Sequence, residues 1–108
     1  MRYKLNTLAP AAEDIKEIKK YLAGFYQNTA KKFIRLYKQK TYRLRDMPYS
    51  CERYTDDPDY RRMVVGDYLV FYMVDDEKRI VDIHRVLHGS RDILRHLAVK
   101  PPQQESCK

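Results

Sequence analysis

The chain has 108 residues and a formal net charge of +7, with 22 Lys and Arg against 15 Asp and Glu. That length sets one domain as the expectation, with enough buried surface for a core without staples. The longest apolar runs fall far short of the roughly 18 residues needed to span a bilayer. The opening "MRYKLNTLAP" lacks the apolar stretch of a secretory signal, so a cytoplasmic protein with no membrane partner is expected.

In chain order, "RYKLNTL" alternates with period two and reads as a first strand. Pro10 suits the first turn of a helix. From Ala11 the period changes: Ile15, Ile18, Leu22 and Phe25 make one stripe of an amphipathic helix. Glu13 and Asp14 near its start suit the helix dipole. Gly24 and "QNT" at 27–29 interrupt it, and Asn28 or Thr29 is expected to cap a second helix. Ala30, Phe33, Ile34, Tyr37, Thr41 and Leu44 form that helix's apolar stripe, which ends near Met47–Pro48. Residues 48–60, with two prolines and three aspartates, read as a loop.

The period-two signal then returns. "YRRMVV" and "YLVFYMV" flank Gly66–Asp67, a two-residue hairpin turn. "YLVFYMV" is apolar on both faces and should lie centrally in its sheet. "DDEK" makes the next turn and "RIVDIHRVL" a further strand. "SRDILRHL" fits a short helix after Gly89, and residues 98–108 a polar tail. The expected fold is α+β in the order β-α-α-β-β-β, an antiparallel sheet against a helical hairpin with a short C-terminal helix. Residues 1–97 would form the domain. Cys51 and Cys107 have no metal-ligand spacing and read as two unpaired thiols, with no cofactor implied.

Charge is concentrated on the helical hairpin. From Glu13 to Asp46 there are ten Lys and Arg (16, 19, 20, 31, 32, 35, 38, 40, 43, 45) against four acids (13, 14, 17, 46). Such a face is either solvated or a footprint for nucleic acid or an acidic protein. Tyr21, Tyr26, Tyr37 and Tyr42 are interleaved with these cations; at helical spacing they more often close a core than stack on bases. On the sheet, Arg61 and Arg62 should point to opposite faces. Strict alternation along the last strand would put Val81, Ile83, Arg85 and Leu87 on one face, toward the helices. It would put Asp82, His84, Val86 and His88 on the other, with both histidines outward. Arg85 would then interrupt a buried row, and is expected to pair with an acid such as Glu13, Glu17 or Asp92.

The strings "YRRMVVGDYLVFYMVDDE" and "VDIHRVLHGSRD" resemble the C-terminal half of the RelE/ParE superfamily, the toxins of type II toxin–antitoxin pairs. "YKLNTLAPAAEDIKEIKKYLAGFYQNTA" is similar to that family's first strand and helix. The resemblance covers residues 2–97, and "RVLHGSRD" is its most specific part, closer to the ParE wording. It implies a toxin held by a cognate antitoxin, as a hetero-oligomer. ParE-like members poison DNA gyrase by binding, whereas RelE-like members cleave mRNA on the ribosome. A third expectation is a member with little toxicity.

If the chain is an enzyme, the resemblance makes it an endoribonuclease. Cleavage through a 2′-hydroxyl needs a base, a cation for the phosphorane and an acid for the leaving oxygen. Arg91 aligns with an arginine that RelE-like enzymes place on the phosphate. Arg61, in the position of a catalytic lysine, is a poor base because it stays protonated. A further family arginine falls on Tyr68, and the C-terminal catalytic tyrosine falls near Leu97. His88, beside Arg91, and His96 would be substitutes, with Arg62 the neighbouring cation. Arg61, Arg62, His84, His88, Arg91 and Arg95 are the expected target-binding set.

Overall fold

The computed structural model describes residues 2–55 and 59–89. The order is β1 (Lys4–Thr7), α1 (Ala9–Ala23), α2 (Gln27–Tyr42), a 3-10 turn (Arg43–Arg45), β2 (Arg61–Val65), β3 (Tyr68–Asp75) and β4 (Ile80–His88). This is the predicted α+β order. The sheet runs β1-β4-β3-β2. β2–β3 and β3–β4 are antiparallel, and β1 joins β4 in parallel. The sheet is therefore mixed rather than wholly antiparallel, because the helical hairpin carries the chain back across the sheet before β2 begins. β3 is an inner strand, as its two apolar faces require. The expected C-terminal helix lies outside the described residues.

The helices cover one sheet face. Ala11 and Ile18 of α1, and Phe33 and Tyr37 of α2 with Leu44, pack on Val65, Val70, Tyr72, Val81, Ile83 and Val86. The α2 stripe predicted from spacing is thus the buried one. Phe25 does not join the α1 stripe: the helix stops at Ala23 and Phe25 is 60% exposed. α2 starts one or two residues before the predicted caps. Its cap position is Tyr26, extended at φ −145 and without a side-chain cap bond, so Asn28 and Thr29 lie inside the helix. α1 begins at Ala9, which places Glu13 and Asp14 beyond its first turn. Their role is accordingly not that of dipole partners.

Two turns set the strand register. Gly66 takes a left-handed φ of 61, as the first position of a II′ hairpin demands, and Asp67 does not. Arg79, which closes the β3–β4 turn, also has a positive φ, 57. A smaller apolar cluster of Tyr60, Phe71 and Leu87 lies on the other sheet face, with Tyr54, Leu69 and Met73 against it. On the helix side, the start of the loop after α2 is tied by Tyr72, whose buried hydroxyl donates to the Pro48 carbonyl at 2.9 Å.

Candidate functional site

The last strand departs from strict alternation. Tyr72 pairs with Ile83 and Phe71 with Arg85, so the register shifts by one and His84 is the extra residue of a β-bulge. The shift reverses which residues face the helices. Ile83 and Val86 both enter the helix-side core, while Leu87 joins Phe71 on the opposite face. The expectation that Leu87 faces the helices and Val86 faces away is therefore wrong, and so is the placing of His84 and His88 on one outward face. The two histidines sit on opposite faces.

His84 faces Tyr60, ring centroids 5.1 Å apart and nearly perpendicular, with Tyr60 Oη 3.4 Å from its Nδ1. Burial lowers the His84 pKa below the usual imidazole value, a pull that nearby Asp82 partly offsets. Burial also raises the Tyr60 hydroxyl. His88 lies edge-on to Tyr68 at 5.3 Å, and Tyr68 in turn packs on Phe33.

Arg85 does form an ion pair, with Asp14. Its Nε donates to Asp14 Oδ2 at 2.7 Å and its Nη2 to Oδ1 at 2.9 Å. The backbone N–H of Val86 donates to the same Oδ2 at 3.0 Å. The reason is topological. β1 ends at Thr7 opposite Ile83, so β4 beyond that point has lost its neighbour, and a carboxylate from α1 takes the strand's place. This contact holds the Arg85 guanidinium charged, its pKa raised first by the hydrogen bonds to Asp14. The side chains of Arg85 and Asp14 are only 25% and 14% exposed. The same step leaves a cleft of about 680 Å³ lined by Glu13, Asp14, Glu17, Tyr21, Tyr68 and His88 among others.

Arg61 and Arg62 do point to opposite faces. Arg61 lies over the Tyr49 ring at 4.6 Å and donates from Nη1 to the Cys51 carbonyl at 2.7 Å. Arg62 pairs with Glu52 and lies over Tyr54. Each is held by the 48–60 segment rather than aimed into a shared cavity. Tyr68, at the position of a family arginine, is buried. The structure thus does not bring Arg61, Arg62, His84 and His88 together. Arg91, Arg95 and His96 lie outside the described residues.

Sequence reasoning missed two polar centres. One is Asp14, which lies three residues after Ala11 and four before Ile18, at the edge of the buried α1 stripe, whereas Glu13 and Glu17 are exposed. The other is Asp76, which accepts Tyr3 Oη at 2.7 Å and Tyr49 Oη at 2.5 Å. These bonds lower the Asp76 pKa, that from Tyr49 most, and the same bond pushes Tyr49 up to about 12. The three residues come from just before β1, from the loop after α2 and from the β3–β4 turn, a juxtaposition no local pattern encodes. Among the described residues no cluster of His, Cys, Asp and Glu could hold a metal ion. Nor is any helix among them long and apolar enough to cross a membrane.

A short helical hairpin on a four-stranded sheet of this order defines the class: the RelE/ParE fold. The sequence model described as the ParE toxin of the type II toxin–antitoxin system parDE matches residues 6–93, most of the chain. The chain belongs to that family of toxins. The toxin of a chromosomal ParDE system from P. aeruginosa is similar in structure, at TM-score 0.68 and 15% identity over 81% of this chain and 96% of that one. A free E. coli RelE toxin variant is similar at TM-score 0.63 and 17% identity, over 89% and 93%. A RelBE toxin–antitoxin complex from Mycobacterium tuberculosis is similar at TM-score 0.59 and 18% identity, over 82% and 99%. No curated protein sequence matches the chain.

Proposed function

We propose that this toxin inhibits growth in the cytoplasm by binding DNA gyrase, and that a cognate antitoxin neutralises it in a hetero-oligomeric complex. Residues 1–97 are the toxin domain in this reading. The observation that carries it is the match of the ParE family model over residues 6–93. The disposition of the strand cations agrees. Arg61 and Arg62 are engaged by the Cys51 carbonyl and by Glu52. His84 and His88 occupy opposite faces, which suits a binding surface better than a general acid–base pair.

The antitoxin reading draws support from similar structures that are themselves toxin–antitoxin complexes. In this reading the antitoxin lays a helix or an extended segment over the toxin.

Induction of the protein, with plasmid supercoiling and intact mRNA followed in parallel, tests the target. Gyrase-linked DNA breaks with intact transcripts are expected. Rapid transcript cleavage before any change in supercoiling would replace this reading with the endoribonuclease one. Continued growth with neither effect would place the chain among the weakly toxic members.

A further inference from the structure

The two helices carry their charge differently. In α1, acids and cations alternate along the exposed surface: Glu13 precedes Lys16 by three positions and Glu17 precedes Lys20 by three. α2 and the turn that continues it, residues 27–45, hold seven cations and no acid. Lys31, Lys32, Arg35, Lys38 and Arg43 are all exposed. They lie opposite the buried stripe of Phe33, Tyr37, Thr41 and Leu44. Among the described residues none of the five meets a carboxylate. From Lys31 to Arg43 the row runs about 18 Å at a rise of about 1.5 Å per residue.

This arrangement opposes the helix's own stability. Lys31 and Arg35 are four positions apart, and Arg35 lies three from both Lys32 and Lys38. Like charges at these spacings destabilise a helix by about 0.2–0.5 kcal/mol per pair. A solvated face would mix both signs, as α1 does.

We propose that the outer face of α2 docks the phosphate backbone of duplex DNA. The choice of duplex DNA rests on the gyrase reading, since gyrase works on that substrate; the docking surface itself rests on the charge row. A protein partner fits this face poorly, because interface cores are apolar and depleted in lysine. Among the described residues, Tyr42 is the one exposed large apolar side chain between Lys31 and Arg43, and its ring already faces Arg2 at 5.8 Å and Arg45 at 5.1 Å. A phosphate backbone needs only cations in a row, and it gains affinity by counterion release. Contacts of this kind position a protein on DNA without reading sequence.

The experiment is fluorescence anisotropy of the full chain with a mixed-sequence 20-bp DNA duplex across a salt series, repeated with an RNA duplex. Two triple variants carry the same loss of three charges. One is Lys31→Gln, Arg35→Gln and Lys38→Gln on α2; the other is Lys4→Gln, Lys78→Gln and Arg79→Gln, away from it. The α2 variant should lose about tenfold or more in affinity at about 100 mM salt, and its log–log salt slope should fall by about two to three. The control should lose less than about threefold. Equal losses in the two variants would show a net-charge effect and overturn the proposal. So would absence of binding by the unaltered chain, or tighter binding to the RNA duplex. Capture of gyrase in DNA-free buffer, by the unaltered chain and the α2 variant alike, reads the target separately. Its failure would sink the gyrase reading while the anisotropy result stands by itself.

Discussion

α1 and α2 are neighbours of nearly equal length, yet they do opposite work. α1 turns an acid inward, where Asp14 closes the open side of β4 and fixes Arg85. α2 turns cations and no acid outward, and it is tied to the sheet by its apolar stripe and by Lys40, whose Nζ donates to the Val64 carbonyl at 2.9 Å. The difference teaches that charge on this hairpin falls into two kinds. One carboxylate on α1 is part of the fold, whereas the outer cations of α2, from Lys31 to Arg43, are tolerated by it. A count of charges along the hairpin cannot separate the two, because the distinction depends on what each side chain meets.

The largest expected effect tests the first half of that contrast. Asp14→Ala removes a bidentate partner from Arg85 and an acceptor from the Val86 N–H, both partly buried. Unfolding by urea should show a loss of about 2–3 kcal/mol. If the loss is no greater than for neutralising an exposed lysine, Asp14 is not structural and the contrast fails. Arg85→Met should cost less, about 1–2 kcal/mol, because Asp14 keeps the Val86 N–H and Met covers the apolar surroundings. A cost equal to that of Asp14→Ala would mean the ion pair, rather than the strand cap, carries the stability.

Arg35→Gln tests the other half. It relieves Arg35's repulsion with Lys31, Lys32 and Lys38, and should stabilise the protein by about 0.5–1 kcal/mol, an effect that fades as salt is raised. On α1 the matching change, Glu17→Gln, should be near neutral, within about 0.3 kcal/mol, because the loss of Lys20 is offset by relief from Glu13 and Asp14. Thermal melts at low and high salt would read both, and equal stabilisation by the two would erase the difference between the helices.

The smallest effect concerns pH. His84 has a folded-state pKa below the ordinary 6.5, so the unfolded chain takes up its proton first on acidification. The associated stability is full above about pH 6.5 and declines as pH falls below it toward the folded value. Melting temperature should therefore drop modestly between pH 7.5 and 5.5, and less so in His84→Gln. α2 carries Lys, Arg and Tyr but no group that ordinarily titrates in that range, so DNA affinity of its face should stay level. A matching fall in affinity would tie the binding to another surface.

The residues of this chain make much of the fold legible before any coordinates. Period-two runs give β2, β3 and β4, and the stripe from Phe33 to Leu44 gives the buried side of α2. Local patterns report these because burial of one face is a local periodic demand. They fail where a strand has an irregularity. Alternation counted along "VDIHRVLH" assumes no bulge, and one extra residue at His84 moved Val86 and His88 to the helix side and Leu87 away from it. The candidate site shared that fate, since two of its residues were joined by the same count.

By itself, then, the sequence determined the order of elements, the apolar faces of the helices, the inner place of β3 and the family string "RVLHGSRD". Each is written in neighbouring residues, at spacings that the helix or strand period enforces. Only the tertiary structure decided that β1 stops at Thr7 beside β4, that Asp14 takes over from there, and that Tyr3, Tyr49 and Asp76 meet. Those facts depend on where separate segments end relative to one another in space. The physical reason is that a hydrogen-bonding group left open by one segment is satisfied by whichever polar side chain the packing brings within reach.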